Sequence, residues 1–107
     1  MAYAVYTTEG FDEELMRLES KEQERAKKIF FQLKENPYVG DQLRYQFFRE
    51  KRIGEKRIYY LVYDDLQAVL VVAVGGKKAQ QETIDRIVES FGAYRKYLEK
   101  KLRGNPS

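Results

Sequence analysis

The chain has 107 residues without a cysteine or a histidine, so disulfide frames, thiol chemistry, Ser-His triads and imidazole metal ligands are excluded. Its charged fraction is 35% but its net charge only +3. No carboxylate cluster has metal-site spacing, no apolar run is long enough for a bilayer, and the N-terminus lacks a signal-peptide pattern. The expectation is a single cytoplasmic domain over 1–107, with no metal, no cofactor and no membrane partner.

Tyr3 to Thr7 is β-prone and predicts a first strand. Phe11, Leu15 and Leu18 recur at helical spacing and predict a short helix. Ser20 with Gln23 fits a capping box for a second helix, whose apolar stripe is Ala26, Ile29, Phe30 and Leu33. Asn36-Pro37 ends it, since the residue before proline is pushed out of the helical region. Residues 37–42 read as loop. Three strands follow at about 43–53, 56–64 and 67–74. The last, "AVLVVAV", is a continuous β-branched run of the kind covered on both faces, and Gly75-Gly76 is expected to stop it. From Ala79 the period turns helical through Ile84, Ile87, Val88, Phe91, Tyr94, Leu98 and Leu102, predicting one long helix over 79–103. The expected fold is α+β in the order β-α-α-β-β-β-α. A small antiparallel sheet carries two N-terminal helices on one face and the long C-terminal helix.

Charge is distributed unevenly. Glu9 to Asn36 holds eight acids and six bases, Arg44 to Arg57 six bases and two acids, and Tyr94 to Arg103 five bases and one acid. A clustered basic stretch is the footprint of an anionic partner; a solvated charged surface is the alternative.

Register sharpens the first basic stretch. With Gly54-Glu55 as a two-residue hairpin turn, Arg52 faces Arg57, Glu50 faces Tyr59 and Phe48 faces Leu61. A second turn around Asp65-Leu66 would set Arg57 against Val74, Tyr59 against Val72 and Leu61 against Leu70. Side chains alternate between faces, so Arg52 and Arg57 share a row and Lys77 leaves the third strand just past its end. Like charges directly opposite cost about a few tenths of a kcal/mol, and Glu50 offsets part of that. Arginine offers a planar fork of donors that matches a phosphate. The other face of the first of these strands carries Lys51, Arg49 and Phe47. Two N-terminal helices can cover only one face, so the other needs the third helix or a partner chain, and an apolar groove left open there would be an interaction site.

The tract "RIGEKRIYYLVYDD" running into "AVLVVAVGGKK", preceded by a strand and two helices, resembles the RelE/ParE toxin superfamily of toxin–antitoxin pairs. The resemblance runs from about Tyr3 to Val88. It implies a RelE-like toxin domain that enters the ribosomal A site and cuts messenger RNA without metal, an mRNA interferase held in check by a cognate antitoxin. The partners implied are therefore the ribosome, mRNA and an antitoxin whose helix or strand packs into the apolar groove or displaces the final helix. On this resemblance the catalytic candidates are Arg57, Lys77, Arg52 and Lys51, and the nucleic-acid-binding candidates are Arg49, Lys56, Lys78 and Arg44. The helix position where RNA-cutting members carry a tyrosine is Thr83 here, with Tyr94 and Tyr97 farther along. Two other readings share the fold: a ParE-like DNA gyrase inhibitor, and a non-catalytic relic that keeps only antitoxin binding. An unrelated small α+β domain is the remaining alternative.

Overall fold

A computed structural model describes residues 2–104; positions 1 and 105–107 of the expected domain lie outside the described residues. Strand β1 (Ala4–Thr7) is followed by helices α1 (Glu9–Met16) and α2 (Ser20–Glu35). A two-residue strand β2 (Asp41–Gln42) precedes β3 (Phe48–Ile53), β4 (Lys56–Tyr63), a short 3-10 turn and β5 (Ala68–Gly76). Helices α3 (Gln80–Glu89) and α4 (Phe91–Leu102) close the described chain. The five strands form one sheet in the order β1-β5-β4-β3-β2. It is mixed rather than purely antiparallel, because β1 runs parallel to β5.

Alternation sorts the side chains into two cores. Ile53, Ile58, Tyr60, Val62, Val69 and Val71 pack with Phe11 of α1 and Ala26, Ile29 and Leu33 of α2. Phe48, Tyr59, Leu61 and Leu70 pack on the opposite face with Ile84 and Ile87 of α3 and Leu98 of α4. The C-terminal helices therefore cover the face that the first two leave open, the first of the two coverings expected for it.

The expected single helix over 79–103 is two helices. Ser90 leaves the helical region at φ −103° and ψ 9°, and its N–H turns back to the carbonyl of Ile87 at 3.0 Å. Gly92, a weak helix former, follows two residues on. The break places Phe91 edge-on against Phe48, with ring centroids 5.7 Å apart, and buries Leu98 completely. Three smaller expectations also shift. The capping box of α2 is Glu19 with Glu22, one residue before Ser20 and Gln23, and the Glu19 N–H donates to Glu22 Oε1 at 3.3 Å. The strand expected from 43 begins at Phe48, after a turn in which the Phe48 N–H reaches the Tyr45 carbonyl at 3.0 Å. Gly75 and Gly76 pair with Arg57 and Lys56 and extend β5 instead of ending it.

Burial makes alkaline pH a probe of both cores. Tyr63 is pushed up to about 12 by burial, with Arg95 opposing, and Tyr38 to about 12 by burial and its hydrogen bond to Asp64. Below pH 10 both phenols are neutral, folded or unfolded, and stability is unaffected. Above 10 only the unfolded chain ionises them, so stability falls from pH 10 towards 12. Denaturant midpoints across pH 9–12 will show this fall starting near 10, and Tyr63→Phe will make it shallower.

Candidate nucleic-acid interface

The hairpin turn sets the site. Gly54 takes φ +64°, a value that falls on the first of the two turn residues, where a II′ hairpin needs glycine. The register that follows is the expected one: Arg52 pairs with Arg57, Glu50 with Tyr59 and Phe48 with Leu61. Between β4 and β5 the register holds only in part. Leu61 faces Leu70, but a bulge at Tyr59/Tyr60 moves Arg57 opposite Gly75 rather than Val74, and Tyr59 opposite Ala73 rather than Val72. The slip leaves Val72 and Ala73 in the same core. It also leaves the Arg57 side chain beside a residue with no side chain, next to the open end of the sheet.

Arg52, Lys56, Arg57, Lys77 and Lys78 line one open cleft of about 550 Å³, with Glu55 on its rim. Arg52, Lys77 and Lys78 are exposed, while the Arg57 side chain is only 12% exposed. Arg57 is fixed from behind by Glu50, equally buried, whose Oε2 lies 3.5 Å from Arg57 Nε. Glu50 in turn accepts from Gln80 Nε2 at 3.1 Å, which ties the first turn of α3 to the sheet floor. Arg57 Nε and the Tyr59 hydroxyl are buried with no hydrogen-bond partner among the described residues. Burial first, then the Glu50 carboxylate, pushes the Tyr59 phenol up and keeps it protonated, against the opposing pull of Arg57.

The other candidates stand elsewhere. Lys51 pairs with Ile58 and projects to the opposite face, away from Arg52 and Arg57, because neighbouring residues of a strand alternate. Arg49 shares that face and is used structurally. Its guanidinium donates to the carbonyls of Gly40 and Gln46 at 3.0 and 2.8 Å and lies 5.1 Å from the Tyr38 ring centre. Arg44 is paired with Asp85 of α3. Lys56 reaches Glu22 of α2 at 3.3 Å from the edge of the cleft. Thr83 is buried, so this helix position sends no side chain into the cleft. Tyr94 lines a different cleft with Glu13, Glu14 and Arg17, and Tyr97 donates to the Thr7 carbonyl at 3.3 Å. Sequence reasoning missed Arg25. Its Nη1 lies over the hairpin turn, 3.2 Å from where a Cβ on Gly54 would be. No local pattern marks it, since only the packing of α2 on β3 brings it there.

Five cations from two strands and one loop thus face one cleft, with Arg57 paired to Glu50 from below and Lys56 to Glu22 at the edge. Such a cleft concentrates anions and offers forked donors to a phosphate. Among the described residues, no group of three His, Cys, Asp or Glu could hold a metal ion, and no helix is long and apolar enough to cross a membrane.

No protein-family model and no curated protein matches the chain. Solved structures do. A mutant of the E. coli toxin RelE in the free state is similar at 24% identity and TM-score 0.68, over 81% of this chain and 99% of the other. The toxin–antitoxin complex RelBE2 from Mycobacterium tuberculosis is similar at 23% identity and TM-score 0.63, over 72% and 100%. The archaeal RelE–RelB complex from Pyrococcus horikoshii OT3 is similar at 17% identity and TM-score 0.61, over 71% and 96%. The strand order and the two helices before the hairpin therefore belong to a recognised architecture: this chain has the fold of the RelE toxins.

Proposed function

We propose that the protein is a RelE-like toxin of the cytoplasm, a ribosome-dependent mRNA endoribonuclease neutralised by a cognate antitoxin. The observation that carries this reading is the convergence of Arg52, Arg57, Lys77 and Lys78 on one open cleft.

RNA is cut when its own 2′-hydroxyl attacks the adjacent phosphorus, forming a 2′,3′-cyclic phosphate as the P–O5′ bond breaks. The reaction needs a base for the hydroxyl, positive charge at phosphorus and a proton for the departing oxygen. Arg57 and Arg52 are permanent cations and take the second role. Lys77 and Lys78 clamp the backbone from the end of β5. With Lys51 on the other face, Lys77 is the base candidate that remains at the cleft, an alternative to its role as a clamp. Thr83 brings no phenol, so the leaving oxygen takes its proton through solvent or an arginine-polarised phosphate oxygen. With groups this modest, most of the acceleration comes from holding the RNA in line, which is what a ribosome supplies.

The gyrase reading drew on one long C-terminal helix and on the missing tyrosine; the helix is broken at Ser90 and packs Leu98 on the sheet, while Thr83 still stands where the tyrosine would be. Incubating the protein with ribosomes carrying a defined message, and separately with gyrase and supercoiled DNA, tests the proposal. Cuts confined to the A-site codon, with supercoiling unaffected, are expected. An intact message with blocked supercoiling would overturn it.

A further inference from the structure

We infer that the outer face of α2 is a second RNA contact, a backbone track continuous with the basic cleft. Lys21, Arg25 and Lys28 are exposed and stand at i, i+4 and i+7, so one helix face carries all three. None is in an ion pair among the described residues. Arg25 is the join, because its guanidinium lies over the Gly54 turn that rims the cleft. Of the neighbouring acids, Glu22 is held by Lys56 at 3.3 Å, leaving Glu24 and Glu55 exposed against the three cations.

One turn beyond Lys28 stands Phe31, 67% exposed on a helix whose apolar face is already buried. Lys34 Nζ sits 5.1 Å from its ring centre, and Lys27 and Phe30 complete a shallow apolar shelf. Cations about one turn, or 5.4 Å, apart followed by an exposed aromatic ring, covered on one face by Lys34, are the parts of a single-strand site: charge tracks the backbone and the free ring face stacks a base. An acidic protein segment would use the cations too, but it would not account for their continuity with the phosphate cleft. The inference rests on the proposed function only in taking RNA as the anion.

Binding separates from cutting, which decides the experiment. A labelled single-stranded RNA of roughly 12 nucleotides is titrated with the full chain from about 50 to 200 mM salt. Arg25→Gln/Lys28→Gln is expected to weaken binding and to reduce the slope of log K against log salt by about 1.4, two phosphate contacts at about 0.7 each. Phe31→Ala is expected to weaken binding about tenfold with the slope unchanged, as loss of one stacked base would. All three positions are exposed, and unchanged melting temperatures confirm folding. Wild-type affinity and slope in the double variant would overturn the inference. So would loss of poly-glutamate binding with RNA binding intact, which would give the face to an acidic protein. A chain that binds RNA in this way yet leaves ribosomal message whole would refute the nuclease reading and support the track.

Discussion

Arg57→Ala will slow cleavage of ribosome-bound message by about 100- to 1,000-fold, the usual cost of removing one preorganised charge from a developing oxyanion. The effect is large for two reasons. Arg57 is the most buried cation of the cleft, so its charge is the least screened by solvent. Its orientation is also set in advance by Glu50, and Glu50 by Gln80. The loss should fall on the single-turnover rate at saturating ribosomes, because the interaction strengthens as charge builds on the phosphoryl oxygens. Arg57→Lys keeps the charge without the fork and should recover part of the rate. Glu50 keeps its bond from Gln80 but loses its counter-ion, so Arg57→Ala should also lower the melting temperature. A melting curve alongside the rate measurement separates lost chemistry from lost structure, and a rate within a few-fold of wild type would remove Arg57 from the reaction.

Gly40→Ala will be the most destabilising small change. A Cβ there would meet the Glu50 carbonyl oxygen at 2.3 Å and the Tyr60 hydroxyl at 2.6 Å, closer than van der Waals contact allows. The residue is buried, its N–H donates to the Tyr60 hydroxyl at 3.0 Å, and its carbonyl accepts from Arg49 Nε at 3.0 Å. Overpacking together with two disturbed hydrogen bonds costs about 2–4 kcal/mol. That is about 10 °C or more in melting temperature for a domain of this size. Tyr60→Phe isolates the hydrogen bond and should cost about 1–2 kcal/mol. The clash bears on function as well, because the displaced carbonyl belongs to Glu50, the counter-ion of Arg57. Part of the lost activity of Gly40→Ala should therefore persist at temperatures where the variant is folded.

The parts of the fold legible in the sequence were those written locally. Gly54-Glu55 allows only a tight turn, and a tight turn dictates every pair from Arg52/Arg57 back to Phe48/Leu61. The bulge at Tyr59/Tyr60 was not legible. "AVLVVAV" is apolar at every position, so a one-residue slip moves no polar side chain into a core and leaves no trace in the pattern. The break at Ser90 was hidden in the same way, because Phe91, Tyr94 and Leu98 keep the helical period across it. At the site, Arg52, Arg57 and Lys77 could be placed from register alone. Arg25 and Gln80 could not, since helix docking puts one over the hairpin turn and the other on Glu50. The parity of a strand also removed Lys51, whose neighbour Arg52 holds the row that faces the cleft.

The central claim is that cations from β4 and from the loop after β5 grip one phosphate. Single-turnover cleavage of A-site message by Arg57→Ala, Lys77→Ala and the double variant tests it most directly. Groups acting on the same phosphoryl lose their effect together, so the double variant should be little slower than the worse single one. Losses that simply multiply would mean that the two residues act at different places, and the shared cleft would not be the seat of the chemistry.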